Sequence, residues 1–275
     1  MSALLESHRT AVATANDAAF ITVDGVQKTY RSARGDFTAL KDVNLAVREG
    51  EFISILGPSG CGKSTLLKCV AGLQPVSGGE IRIRGQTVAE PPEGAGMVFQ
   101  RDVLLDWRTV IDNVLLPVEF ARLNKTDWRE RALELLRTFD LQNFADRFPW
   151  ELSGGMRQRV AICRGLLMRP SLLLMDEPFG ALDAITRDEL NLEMERVWER
   201  DRMTVLFVTH SIAEAVFLAD RVVVMARDPG RVHEVVQVDL PRPRTLALRE
   251  TPAFGAYTGH LRTVFETLGI MRRGA

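Results

Sequence analysis

Gly57-Pro58-Ser59-Gly60-Cys61-Gly62-Lys63-Ser64-Thr65 is the stretch whose reading decides the fold. It fits G-x-x-x-x-G-K-[ST], a loop that cradles phosphates. Gly57, Gly60 and Gly62 let the backbone curl so that successive N–H groups point inward, a nest for anionic oxygens. Lys63 adds a point charge for β- and γ-phosphates, and the Ser64 hydroxyl is suited to ligate Mg²⁺. Residues 51–56 before the loop read as a buried strand. Residues 64–72 after it read as a helix whose N-terminal dipole faces the phosphates.

At 275 residues the chain suits one large α/β domain, or one such domain with a small appendage. With 46% hydrophobic and 26% charged residues the composition is globular, not disordered. A formal net charge of −1 gives no strongly basic face, so nucleic acid is not an expected partner. No apolar run approaches the roughly 20 residues that span a bilayer. The opening stretch through Asp17 carries Glu6, His8 and Arg9 and lacks the apolar core of a secretory signal. Cys61, Cys69 and Cys163 show no CxxC spacing, which fits reduced thiols in a cytoplasmic chain.

Outward from the loop, residues 1–18 read as a mobile tail. Segments 21–26 and 39–47 read as strands, and Tyr30, closing the first, offers an aromatic face on which a base could stack. A short buried strand over 95–100 ends in Gln100. Between 101 and 150 the texture turns helical. Residues 110–120 and 127–139 place apolar side chains at helical spacing, with Leu133, Leu136 and Phe139 on one side. A helical subdomain over 101–160 is therefore expected, inserted into the α/β core. Leu152-Ser153-Gly154-Gly155 opens a further helix that Pro170 ends, and an aliphatic strand over 171–175 follows. Segment 187–200 reads as an amphipathic helix burying Leu190, Met194, Val197 and Trp198. A strand over 204–208 ends at Thr209-His210, and 241–275 reads as a short helical tail after 19–240. Alternating strands and helices imply a mostly parallel sheet covered on both faces, with an antiparallel edge portion.

The aliphatic strand runs into Asp176-Glu177. A carboxylate at a strand tip can hold Mg²⁺ through its water shell, and two adjacent carboxylates call for separate roles. Asp176 beside the metal and Glu177 as base for the attacking water is the economical division.

With these motifs in this order, the sequence resembles the nucleotide-binding subunit of ATP-binding-cassette (ABC) transporters, over about 19–240. The resemblance implies a RecA-like phosphate-loop core and a homodimer sandwiching ATP and Mg²⁺. Leu152-Ser153-Gly154-Gly155 is similar to the family's signature, which implies that Ser153 and Gly155 contact a γ-phosphate held by the second subunit. By the same resemblance Tyr30 stacks on adenine, Gln100 senses Mg²⁺ and water, Asp183 lies in the loop crossing the dimer interface, and His210 contacts the γ-phosphate. Lys63 and the whole of 57–65 hold the phosphates. Met156, Gly180 and Ser211 depart from the commonest family pattern without removing a phosphate ligand or the base.

A finer resemblance, carried by 102–107, 110–114, 176–187 and 207–232, is to importer ATPases of the nitrate, sulfonate and taurine group. It implies an integral-membrane permease dimer and an extracytoplasmic substrate-binding protein as partners. The chain is then peripheral, on the cytoplasmic face of the membrane. Leu104, Leu105 and Trp107 are candidates for a permease-docking groove. The rival readings are a soluble cassette acting on nucleic acid or ribosome, and a cassette that binds ATP without turning it over. The short segment from Gln100 to Ser153, without sustained heptads, and the single phosphate loop disfavour the first. Glu177 and His210 disfavour the second.

Overall fold

The computed structural model describes residues 19–33 and 35–271. The tail expected over 1–18 lies outside the described residues. In chain order come β1 (Ile21–Tyr30), β2 (Phe37–Val47), β3 (Phe52–Leu56), α1 (Lys63–Val70), β4 (Gly78–Ile83), β5 (Gln86–Thr87) and β6 (Ala95–Val98). Next are α2 (Val110–Val114), α3 (Leu116–Phe120), α4 (Lys125–Thr138), α5 (Gly154–Leu166), β7 (Leu172–Asp176) and α6 (Ala184–Asp201). The last are β8 (Thr204–Thr209), α7 (Ile212–Leu218), β9 (Arg221–Ala226), β10 (Arg231–Gln237) and α8 (Pro252–Thr267). Two compact units divide the chain: one runs to Glu93 and resumes at Thr204, the other is Gly94–Met203.

In the first unit β3 is buried at every position, Ser54 included, as a mostly apolar strand with cover on both faces must be. It lies parallel to β8, with Phe52 opposite Val205 and Leu56 opposite Thr209, and parallel to β9 on its other side. β10 adds an antiparallel edge to β9. A separate antiparallel sheet runs in the order β2-β1-β4-β5. After Pro241 and Pro243 the chain forms α8, capped by Thr251, which buries Phe254, Leu261 and Phe265. These strands and helices give the α/β class expected, with parallel strands and an antiparallel sheet.

In the second unit β6 and β7 pair in parallel, Ala95 opposite Leu172 and Val98 opposite Met175. The helix expected over 110–120 is two short helices, α2 and α3, meeting at Leu115. Pro117 explains the break, because its ring cannot donate the hydrogen bond that would continue α2. α4 starts at Lys125, two residues before the expected 127, because the Asn124 side chain accepts from Thr126 N at 3.1 Å. Its buried residues are Ala132, Leu135 and Leu136, followed by Phe139, an i, i+3, i+4, i+7 series that leaves Leu133 half-buried. α6 likewise starts at Ala184, earlier than the expected 187, because Asp183 caps it. Leu190, Met194, Val197 and Trp198 are buried as expected. Among the described residues no helix is long and apolar enough to cross a membrane.

Candidate functional site

The phosphate loop joins β3 to α1 in the first unit. Its sharpest requirement is Gly62, the N-cap of α1 at φ 93, a left-handed conformation without side-chain capping. A Cβ there would lie 2.6 Å from Leu40 Cδ2 and 2.9 Å from the Ala39 carbonyl. Sequence and packing thus agree that only glycine fits. Lys63 is 4% exposed, and its ammonium donates to the carbonyls of Gly57 at 2.9 Å and Pro58 at 3.0 Å. A desolvated ammonium held inside a loop at a helix N-terminus makes a cradle for phosphate oxygens. Ser64 and Thr65 follow on the first turn, and Cys61 is fully buried within the loop.

Tyr30 stands at the end of β1 and is 37% exposed. Its hydroxyl donates to Gln74 Oε1 at 2.6 Å and lies 3.5 Å from Thr65 Oγ1, so the ring is tethered beside the loop. Lys28 Nζ sits 5.1 Å from the ring centroid. His210 follows the last residue of β8 and is exposed. Its neighbours fix the turn. Buried Thr209 donates to Glu214 Oε2 at 2.6 Å and accepts from Ser211 N at 3.0 Å, and Ser211 caps α7.

The second unit carries the carboxylates. Asp176, 6% exposed, ends β7. Glu177 next to it adopts φ 44, in the left-handed region that costs a non-glycine residue about 1 kcal/mol. That turn aims its carboxylate at Gln100, whose Nε2 donates to Glu177 Oε2 at 3.3 Å. Two residues 77 positions apart are thereby brought together. Ser153 caps α5, its Oγ accepting from Met156 N at 3.3 Å, so Gly154 and Gly155 form the helix's first turn. A Cβ on Gly155 would lie 2.9 Å from Thr186 Cγ2, so glycine is needed there for packing against α6. Asp183 accepts from Ile185 N and Thr186 N at 3.1 and 3.0 Å. These bonds, that from Thr186 foremost, hold its carboxyl below the usual range.

Sequence reasoning missed how 101–109 is held. Arg157 Nε donates to Asp102 Oδ2 at 3.0 Å, and Arg164 donates to the carbonyls of Asp102 at 2.7 Å and Val103 at 2.9 Å. The helix opened by Ser153 therefore grips the loop that follows Gln100. Fully buried Asn113 completes the clasp, accepting from Leu105 N at 2.7 Å and donating to the Leu105, Arg108 and Thr109 carbonyls. Opposite charges 55 residues apart leave no periodic signal in a sequence.

A cavity of about 620 Å³ opens beside that loop, walled by Phe99, Val103, Leu116, Phe120 and Met168. Phe120 is 77% exposed. Of the three docking candidates, Trp107 is exposed and Leu104 and Leu105 are half-buried, but none of them walls the cavity. The clasp explains the difference: Asn113 binds both backbone polar groups of Leu105 and pulls it toward α2.

The family described as ABC transporter matches residues 40–180. Three similar proteins are named as ATP-binding proteins of transport systems, two of them import systems. The bicarbonate transport ATP-binding protein CmpD of Synechocystis is 44% identical over 82% of this chain and 81% of its own. The taurine import ATP-binding protein TauB of Rhizobium johnstonii is 44% identical over 86% and 92%. The nitrate import ATP-binding protein NrtD of Synechococcus elongatus is 46% identical over 89% of both chains. Among solved structures, a dimeric post-hydrolysis state of the ATP-binding cassette MJ0796 bound to ADP and Pi superposes with a TM-score of 0.71. It is 33% identical and covers 80% of this chain and 100% of that one.

Proposed function

Since the chain belongs to the ABC transporter family, we propose that it is the ATP-hydrolysing subunit of an importer for a small anionic solute. The observation that carries this is the helix opening at Ser153-Gly154-Gly155 in a chain that also holds the loop at 57–65 and the Gln100–Glu177 pair. Nitrate, taurine and bicarbonate head the names of relatives at 44–46% identity, which supports a small polar solute, its choice belonging to the permease and the substrate-binding protein.

Two copies sandwich two ATP molecules head to tail. In each site the backbone of 57–65 and Lys63 would hold the phosphates, Tyr30 would support the adenine, and Ser64, Gln100 and Asp176 would hold Mg²⁺. Bound Mg²⁺ would neutralise the charge that develops on the transferring phosphoryl group. Ser153 and Gly155 of the second copy present helix N-terminal donors to the γ-phosphate, with Asp183 at the crossing loop. Glu177 takes a proton from the attacking water while Gln100 and His210 orient it. The water oxygen bonds to the γ-phosphorus as the bond to the ADP oxygen breaks. ATP favours the closed pair because only that form makes both sets of contacts, and loss of the γ-phosphate releases it.

No helix among the described residues is able to cross a membrane, so transport requires an integral-membrane permease, to which this chain binds peripherally from the cytoplasmic side. The Phe99–Phe120 cavity is its docking place, because the Arg157 and Arg164 clasp links that cavity's loop to α5. A substrate-binding protein outside the membrane delivers the solute. Co-purification of the tagged chain from native membranes tests the reading. A multi-span permease in the same fraction supports it, and recovery with soluble nucleic-acid-associated partners alone overturns it.

A further inference from the structure

A second cavity of about 520 Å³ lies within the Gly94–Met203 unit; it shares Pro170 with the Phe99–Phe120 cavity, and neither Asp176 nor Glu177 lines it. Arg131, Arg169 and Arg200 converge on it with Glu134 and Asp201, over Leu166, Pro170 and Met203. These come from α4, the end of α5, the turn before β7 and the end of α6.

The arginines are not balanced by the acids present. The Arg131 side chain is 15% exposed, and its Nε donates to the Leu167 carbonyl at 3.0 Å. Its terminal nitrogens make no hydrogen bond among the described residues, and its ion pair to Asp201 Oδ2 is stretched to 3.9 Å. Asp201 is already engaged, accepting from Arg200 through both oxygens at 2.6 and 2.9 Å. Arg169 makes no side-chain hydrogen bond or ion pair among the described residues. Burial, then repulsion from Arg169, holds the Arg131 guanidinium below its ordinary pKa. Three cations against two carboxylates leave one net positive charge, with free planar donors suited to bidentate recognition of a carboxylate or sulfonate.

We infer that this cavity binds a small organic monoanion, its carboxylate or sulfonate held by Arg131 and Arg169 and its short hydrocarbon tail laid against Leu166, Pro170 and Met203. One charge on the ligand matches one net charge on the wall. The apolar floor and the volume exceed what a bare inorganic anion fills. The ligand bridges the middle of α4 and the ends of α5 and α6, so binding stabilises this unit by mass action. The assignment does not depend on the transport reading, because it concerns the isolated chain.

Calorimetric titration of the full chain at low salt, with pentanoate and butanesulfonate as probes, tests it. Saturable one-to-one binding is expected for at least one probe. It should be at least about tenfold weaker in Arg169→Gln and for neutral pentanamide, the loss that follows from one charge-assisted contact. Glu134→Gln, which removes the competing carboxylate, should bind more tightly than the native chain. Thermal melting and ATP binding of both variants confirm that they fold. Absence of saturable binding by both probes, an unchanged Arg169→Gln, or pentanamide binding as tightly as pentanoate would overturn the site. Nitrate binding as tightly as either probe would overturn the organic character of the ligand.

Discussion

Glu193→Gln will remove a pH dependence that the fold builds into the contact between α5 and α6. The Glu193 side chain is 9% exposed, its Oε1 is 3.5 Å from Arg159 Nη2, and its Oε2 has no hydrogen-bond partner. Arg159 is held more closely by Glu189, at 2.7 Å. Burial is the main cause that pushes the Glu193 carboxyl up from 4.5 to about 7, with Arg159 opposing it. The folded state therefore binds this proton more tightly than the unfolded chain does. The stability that the proton contributes is complete below pH 4.5, declines as pH rises, and is gone above about 7. At about 1.4 kcal/mol per pH unit the ceiling is roughly 3 kcal/mol, and solvent screening and relaxation bring it to about 1–2. Glutamine mimics the neutral form at every pH. Urea midpoints of the two proteins should approach each other near pH 4.5 and separate by about 1–2 kcal/mol at pH 8, the variant being the more stable. A constant separation across that range would refute the burial argument.

Glu177→Gln should lower steady-state phosphate release by about 10²–10⁴-fold, the usual contribution of a general base, while nucleotide binding persists; hydrolysis at the native rate would remove Glu177 from that role. Gly62→Ala places a methyl group 2.6 Å from Leu40 Cδ2 at φ 93, and the strain of about 1–3 kcal/mol should weaken ATP at least about tenfold in a fluorescent-nucleotide titration. Native affinity in that variant would mean that the loop relaxes more freely than its packing indicates. Asn113→Ala strands buried polar groups of Leu105, Arg108 and Thr109 and should cost about 2–3 kcal/mol in urea unfolding. Phe120→Glu should abolish permease co-purification and leave basal ATP turnover unchanged; retained co-purification would move the docking place elsewhere.

The fold was legible wherever one local rule acts alone. A short, mostly apolar run ahead of the phosphate loop produced β3, and the periodicity of Leu190, Met194, Val197 and Trp198 placed the buried side of α6. Errors fell where capping and backbone chemistry override periodicity. The pattern over 110–120 is continuous, yet Pro117 divides it, and Asn124 and Asp183 start their helices earlier than the apolar spacing shows. The cap signals were present as residue types. Their weight depends on whether the preceding backbone is extended, as it is at both positions, and a sequence does not state that.

The site divides the same way, with a consequence for how energy can be passed along the chain. The phosphate loop is a contiguous motif, so its residues declare themselves. The left-handed backbone at Glu177 and the grip of Arg157 and Arg164 on Asp102 and Val103 are long-range outcomes. Both lie on one connected path within the second unit. Glu177 hydrogen-bonds Gln100, the chain continues through Asp102 and Val103, and α5 holds that loop from the helix that Ser153 opens. A change in what Glu177 contacts therefore reaches the loop beside the Phe120 cavity through three residues of backbone and two charged contacts, without requiring the helices to repack. Cutting one link, with Arg157→Met, should leave the phosphate loop's nucleotide affinity intact and loosen the dependence of turnover on a bound permease. If turnover in the assembled complex stayed as tightly coupled as in the native protein, the path would have to run through contacts other than this clasp.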